Sequence, residues 1–268
     1  MRNIAILIVF SFVLISCEKE EQLLIIENTD IPLICKVLIG GEVYKEYTYN
    51  DLNLLEEEKS KFHYSKHTYN GKNQLITSDF YWDMRVASSN SRVLEDAMNR
   101  EEWVNPENTP ISISHSYEYN TEEQLIRKAY IRPEPGTSSI TEFILEGDRV
   151  IRSRGYRDGE ISGYTDYSYE SNGNLTMKER YHSSPEGMEL STTTEYEYDN
   201  MPNPFQSFKR LLTPGIYTNQ NNIVKEIYTI HFEVNASIEK VQITDNSYEY
   251  NDMGYPIKKN EVTEYVYK

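Results

Sequence analysis

The chain has 268 residues, with 27 Lys and Arg against 43 Asp and Glu, for a net charge of −16. An acidic balance of that size argues against nucleic acid, whose binding depends on Lys and Arg neutralising phosphates, and against a basic patch on anionic lipid. Only 38% of the chain is hydrophobic and 23 residues are Tyr; a Tyr ring buries a large surface yet keeps a polar tip, so a thin sheet suits this composition better than a thick aliphatic core.

Arg2 is followed by an uncharged stretch, residues 3–16, dominated by Ile, Leu, Val and Phe. One positive charge, a short apolar run and a small residue at its end predict a secretory signal peptide over residues 1–16. Spanning a bilayer takes about 20 apolar residues, and this run is shorter. It ends Leu14-Ile15-Ser16-Cys17, which resembles a bacterial lipobox. The resemblance implies that Cys17 becomes the acylated first residue of the mature chain and a membrane anchor, each buried methylene contributing about 0.8 kcal/mol. Glu18-Lys19-Glu20-Glu21 resembles the acidic signal that sends some Gram-negative lipoproteins to the outer surface; a solvated tether is the other reading. The expected location is the outer membrane, on its cell-surface or periplasmic face. Residues 17–33 are expected to be a lipidated tether, and 34–268 one repeat domain. With Cys17 acylated, Cys35 has no partner and is expected to be a structural thiol in a strand.

From there the chain repeats itself. A phrase of Tyr, any residue, Tyr, a turn and an apolar residue occurs at Tyr47-Thr-Tyr49 with Leu55, Tyr117-Glu-Tyr119 with Leu125, and Tyr167-Ser-Tyr169 with Leu175. It returns at Tyr196-Glu-Tyr198 with Pro204 and Tyr248-Glu-Tyr250 with Pro256, and as His67-Thr-Tyr69 with Leu75. Residues i and i+2 of a strand share a face, and the polar residue between them points the other way. The stretch after the second Tyr is turn material, such as Glu170-Ser171-Asn172-Gly173-Asn174, because Asn and Asp open turns and Gly supplies positive φ. Each phrase therefore predicts a β-hairpin whose return strand starts at the apolar residue. Phe143-Ile144-Leu145 with Val150-Ile151, and Tyr217-Thr218-Asn219 with Asn222-Ile223-Val224, read as degenerate copies. Gly40-Gly41 reads as the first hairpin turn, after a strand from Ile34. Repetition of this kind builds one core from stacked units. The expected fold is all-β: antiparallel hairpins in one long curved sheet or partly closed barrel. An insertion at about 83–110 is expected to hold a short helix, Ser91 to Trp103, with Val93, Leu94, Ala97 and Met98 on one face.

The phrase Tyr-x-Tyr-Asp/Asn-x-x-Gly-x-Leu resembles the YD repeats of RHS-type proteins, over about residues 43–267. Tyr196-Glu-Tyr198-Asp199-Asn200, Asn203-Pro204-Phe205 and Asn221-Asn222-Ile223-Val224-Lys225-Glu226-Ile227 resemble a family of uncharacterised bacterial lipoproteins. The resemblance implies a β-rich lipoprotein at the surface or in the periplasm.

Chemical motifs are sparse. His63 and His67 share a face, but zinc needs further ligands that the spacing does not supply. His115, His182 and His231 are isolated and expected on sheet surfaces. Glu118, Glu197 and Glu249 occupy equivalent positions and are expected to alternate with Lys or Arg or to face water. No metal, cofactor or catalytic residue is assigned. The candidate ligand-binding residues are Tyr117, Tyr119, Tyr167, Tyr169, Tyr196, Tyr198, Tyr248 and Tyr250, as a face that stacks on a glycan or a protein partner; packing between strands is the competing reading. The expected function is a non-enzymatic binding or scaffold module of the cell envelope. The alternative is a carbohydrate-capture accessory or glycan-active enzyme, with convergent carboxylates near Trp82 or Trp103.

Overall fold

The computed structural model describes residues 32–82, 103–131, 139–211, 214–232 and 240–268. The expected signal peptide, the expected acylation site at Cys17 and most of the expected helical insertion lie outside them; residues 103–110 form turns and coil. The described chain is one antiparallel sheet. Its first strands are β1 (Ile34–Ile39), β2 (Glu42–Tyr49), β3 (Leu55–Ser60), β4 (His63–Tyr69), β5 (Leu75–Trp82) and β6 (Ile113–Tyr119). Then come β7 (Leu125–Ile131), β8 (Ser139–Glu146), β9 (Arg149–Arg157), β10 (Glu160–Tyr169), β11 (Leu175–Ser184) and β12 (Gly187–Pro202). A 3₁₀ helix, η1 (Gln206–Leu211), precedes β13 (Asn221–Ile230), β14 (Val241–Asp245), β15 (Tyr248–Tyr250), β16 (Pro256–Lys259) and β17 (Thr263–Tyr267). The expected curved all-β sheet is what the chain forms.

Each strand pairs with its neighbours in sequence, from β1 to β14 and from β15 to β17. In addition β17 pairs with β1, Tyr267 opposite Ile34 and Tyr265 opposite Val37. The ladder therefore runs from β15 through β17, β1 and on to β14. Its two ends are consecutive in the chain, linked by Asn246 and Ser247, but they share no ladder of their own. A sheet whose two ends are tied this closely must curl, although its hydrogen-bonded ring stays open.

The repeat explains the curl. Two strands of one hairpin are held by a shared turn geometry: the Asn50 side chain accepts from the amides of Leu52 and Leu54, Asn70 from Lys72 and Gln74, Asn120 from Glu122 and Gln124, and Asn251 from Met253 and Tyr255. Four residues after the second Tyr the backbone is left-handed, at Asn53, Asn73, Glu123, Gly173 and Gly254, a conformation that Asn and Gly tolerate best. Strands of adjacent hairpins part at this rim. The β3–β4 ladder ends at Glu57 opposite Lys66, β5–β6 at Thr77 opposite Ser116, and β11–β12 at Met177 opposite Glu195.

Beyond those last rungs a carbonyl near the start of the adjacent return strand loses its ladder partner, and a Tyr hydroxyl supplies one. Tyr49 donates to Ile34 O, Tyr69 to Leu55 O, Tyr119 to Leu75 O, Tyr169 to Val150 O, Tyr198 to Leu175 O, Tyr248 to Ile223 O and Tyr267 to Pro256 O. The ring fills the widening gap and its tip satisfies the orphan acceptor, which would cost about 1–3 kcal/mol if left unpaired. Phe could fill the gap but not the bond. At β8 the place is taken by Leu145, paired with Val150, which has no hydroxyl to give.

Two expected copies differ. The strand after Tyr196-Glu-Tyr198 does not begin at Pro204, which leads instead into η1. The chain returns at Asn221, and Ile223 sits opposite Tyr198. Tyr217–Asn219 are accordingly loop rather than half of a hairpin. The reason is visible at Asp199. Its Oδ1 accepts from Met201 N, as Asn50 does from Leu52, and then from Asn222 N. Asn222 thus completes the turn, and the residues between are an excursion inserted into it. Tyr265-Val266-Tyr267, conversely, is a further copy whose return strand is β1 from the start of the domain.

β1 therefore joins the ends of the repeat array. Ile34 is fully buried, between Tyr267 and the Tyr49 hydroxyl. Replacing Ile34 by Ala should lower unfolding stability by about 2–5 kcal/mol in urea titrations, whereas Ala at the exposed Ile257 of β16 should change it by under about 0.5 kcal/mol.

Candidate functional site

The excursion between β12 and β13 packs on the face that carries the Tyr pairs, which defines the inner face. Phe208 of η1 is 1% exposed and lies 4.9 Å from the Tyr47 ring and 5.5 Å from Tyr217, centroid to centroid. Phe205 meets Tyr265 at 6.0 Å. Leu211 touches both apolar clusters, one around Ile34, Val37 and Leu55, the other around Leu75, Tyr117 and Leu125. Arg210 donates to the Asn73 carbonyl in the β4–β5 turn. At Gly215, φ is +85° and a Cβ would lie 2.6 Å from Leu175 Cδ2, so only Gly fits this approach. Buried Asn219 accepts from the Leu175 amide and donates to Gly215 O. The segment is a plug anchored to strands from both halves of the sheet.

The candidate Tyr residues lie on this inner face. Tyr117 is buried, and Tyr119, Tyr167, Tyr169, Tyr196, Tyr198, Tyr248 and Tyr250 are half-buried, so none forms an exposed strip. The hydroxyls of Tyr119, Tyr169, Tyr198 and Tyr248 cap carbonyls as described; Tyr117 donates to Ser78 Oγ, Tyr167 pairs with Ser153, and Tyr250 with Asp199. Burial pushes these phenols above their ordinary range.

Register places a second row beside the first Tyr of each pair. Opposite Tyr47 stands Glu58, opposite His67 Ser78, opposite Tyr117 Lys128, opposite Tyr167 Lys178, opposite Tyr196 Glu226, and opposite Tyr248 Lys259. Glu58 is neutralised: Lys45 and, at 2.8 Å, His63 Nε2 hold its carboxylate. Burial alone would raise its pKa, but the His63 hydrogen bond and the Lys45 charge outweigh burial and hold it at about 2. Lys128, Lys178 and Lys259 make no ion pair among the described residues, and burial lowers the pKa of each. Lys128 Nζ lies 5.8 Å from the Tyr117 centroid and Lys259 Nζ 5.9 Å from that of Tyr248. Such contacts are worth about 0.5–1 kcal/mol, less than the several kcal/mol lost when an ammonium leaves water. The charge of Glu226 opposes part of the lowering by burial at Lys178 and Lys259.

Outward cations behave differently. Lys36 pairs with Glu46 at 2.7 Å, Arg127 with Glu118 at 3.1 Å, Lys225 with Glu197 at 3.3 Å, and Arg152 with Asp166. Of the three equivalent Glu, Glu118 and Glu197 pair with cations, Glu249 stands opposite Lys258, and all three face water, so both expected arrangements occur.

A cavity of about 170 Å³ opens at this end of the inner face, lined by Phe205, Asn219, Glu226, Tyr248, Lys259 and Tyr265 among others. Two further histidines are hydrogen-bonded to neighbouring strands. His67 Nδ1 shares a hydrogen bond with Ser78 Oγ at 2.8 Å, and His231 Nε2 one with Thr193 Oγ1 at 2.7 Å. His115, expected on the surface, instead packs between the Phe80 and Tyr130 rings. Trp82 is 42% exposed beside His63, and Cys35 is a half-buried free thiol in β1.

No family model matches the chain, and no curated protein matches it. Among solved structures it is similar to a porin-like protein from Bacteroides uniformis ATCC 8492, at 12% identity and a TM-score of 0.39, over 88% of this chain and 98% of that one. A porin-like protein from Bacteroides vulgatus ATCC 8482 is similar at 12% identity and a TM-score of 0.41, over 88% and 99%. The TcdB2–TccC3–Cdc42 crystal structure is similar at 14% identity and a TM-score of 0.32, over 78% of this chain but 10% of that one.

Sequence reasoning passed over the row opposite the first Tyr. Its signal was available: Lys128, Lys178 and Lys259 each follow the first Tyr of their phrase by eleven residues.

The inner histidines make the fold acid-sensitive. Burial lowers His67 and His115 from 6.5 to about 4. Unfolded chains therefore bind more protons between those values, and stability falls as pH drops from about 6.5 to 4. Glu58 adds to the loss as pH falls further, from its unfolded 4.5 towards about 2. Urea midpoints should be flat from pH 8 to 7 and decline below 6.5; in a His67→Gln/His115→Gln chain the decline should begin only near pH 4.5.

Proposed function

We propose that this chain is a non-enzymatic lipoprotein of the cell envelope, anchored through Cys17, whose repeat domain is a binding module that holds a small saccharide unit on its inner face. The observation that carries the reading is the cavity at Tyr248 and Tyr265, where aromatic faces, side-chain amides and the Glu226 and Lys259 charges meet. Aromatic surface with a few placed polar groups is the usual make-up of a small-molecule site. At about 170 Å³ it is smaller than the roughly 300 Å³ at which drug-sized pockets begin, which favours a single ring over a long chain. The Tyr-x-Tyr turns and Leu14-Ile15-Ser16-Cys17 support the YD-like lipoprotein assignment.

A palmitate analogue fed to the producing cells should label the chain and leave a Cys17→Ser variant unlabelled. The mature Cys17→Ser chain, applied to a glycan array, should retain a set of saccharides, and Glu226→Gln should weaken that retention by about tenfold, the scale of one hydrogen bond to a charged group. Retention unchanged by Glu226→Gln would remove the cavity as the site; retention of nothing would leave a scaffold without a ligand.

A further inference from the structure

Lys128, Lys178 and Lys259 are not scattered. They hold the same register position in three hairpins, each opposite the first Tyr of its pair. All three point to the inner face, where Leu211 packs beside Tyr117 and Phe205 beside Tyr265. The chain as a whole carries a net charge of −16, yet this row holds three lysines against Glu226 and a Glu58 already bound to Lys45 and His63. On the outer face Lys36, Arg127, Arg152 and Lys225 pair with carboxylates across the strands, whereas on the inner face Lys128 and Lys259 face Tyr rings and Lys178 has the Glu226 carboxylate nearby. A partly desolvated cation without an ion-pair partner is costly to keep; one carboxylate, Glu226, shared by two lysines offsets part of that cost, and a ring quadrupole replaces only part of a missing partner. One of those two lysines, Lys259, lines the cavity.

Resting on the saccharide reading above, we propose that the inner face recognises an acidic saccharide, whose carboxylates or sulfates meet the lysine row while its ring C–H faces stack on the adjoining Tyr. The pairing of Tyr with Lys in each of these hairpins presents both halves of such a ligand's chemistry side by side. Each hairpin then offers one subsite, and a short acidic oligomer can engage more than one.

The mature Cys17→Ser chain should be titrated calorimetrically with trigalacturonate, a sulfated galactobiose, neutral galactobiose and inorganic sulfate, at 20 mM and 500 mM NaCl. The expected result is binding of the acidic sugars at low salt, at least tenfold tighter than of galactobiose or sulfate. High salt should weaken that binding. Lys178→Gln and Lys259→Gln should each weaken it about tenfold, equivalent to about 1.4 kcal/mol. Lys225→Gln, on the outer face, should not. Urea midpoints for each variant separate lost binding from lost folding. Equal binding of acidic and neutral sugars, insensitive to the lysine variants, would overturn the acidic preference and leave the saccharide reading standing. Sulfate binding as tightly as the oligosaccharides would reduce the row to a simple anion site. Binding of none of them would overturn both readings.

Discussion

The structure depends on a bond between a Tyr hydroxyl and a carbonyl near the start of the preceding hairpin's return strand. Hairpins joined at one end only are free to splay at the other, and a sheet that splays exposes backbone acceptors. Here the gap is filled by an aromatic ring of the right length, and the exposed acceptor is taken by its tip. Because each bond links a hairpin to its predecessor, the sheet is stitched along its rim as well as through its ladders. The same arrangement accounts for composition. An inner face made of Tyr, Ser, Thr and Lys needs few aliphatic residues, and the fully buried aliphatic side chains are mainly those that open return strands, Ile34, Leu55, Leu75 and Leu175.

Two non-local devices complete the fold. β1 supplies the last Tyr pair with the partner its own segment lacks, so the ends of the domain meet in one ladder. The plug, spliced into a repeat turn at Asp199, reaches strands on both sides of that seam through Phe208, Leu211 and Asn219. It occupies one sector of the inner face and borders the cavity at Tyr248 and Lys259. The stabilising contacts and the candidate site thus share a surface, and the Tyr pairs serve both. Most of their hydroxyls are committed to backbone carbonyls or to Ser78, Ser153 and Asp199, which leaves ring faces and the neighbouring lysines as the main groups a ligand can meet.

Much of this was legible from the phrase itself. Tyr at i and i+2, an Asn-opened turn and an apolar return residue predict the hairpin, because each feature is local and has a steric cause. The role of the second hydroxyl was hidden, since its acceptor lies in another hairpin. Pro204 misled because it stands where a return residue is due, while the turn it interrupts is completed by Asn222. Tyr265-Val266-Tyr267 escaped notice because its return strand lies at the opposite end of the domain. Such pairings carry no local signal, because their partners are far apart in the chain. The lysine row needed register before its sign and its face could be read together.

The most direct measurement is the unfolding free energy of Tyr69→Phe, Tyr119→Phe and Tyr198→Phe chains, singly and together, against Tyr164→Phe on the outer face. Phe keeps the ring and removes only the hydroxyl. The account predicts a loss of about 1–3 kcal/mol for each inner variant, near-additive in the triple chain because the bonds lie in different hairpins, and under about 0.5 kcal/mol for Tyr164→Phe. Inner variants as stable as the native chain would contradict it, and would leave the Tyr rings as packing alone.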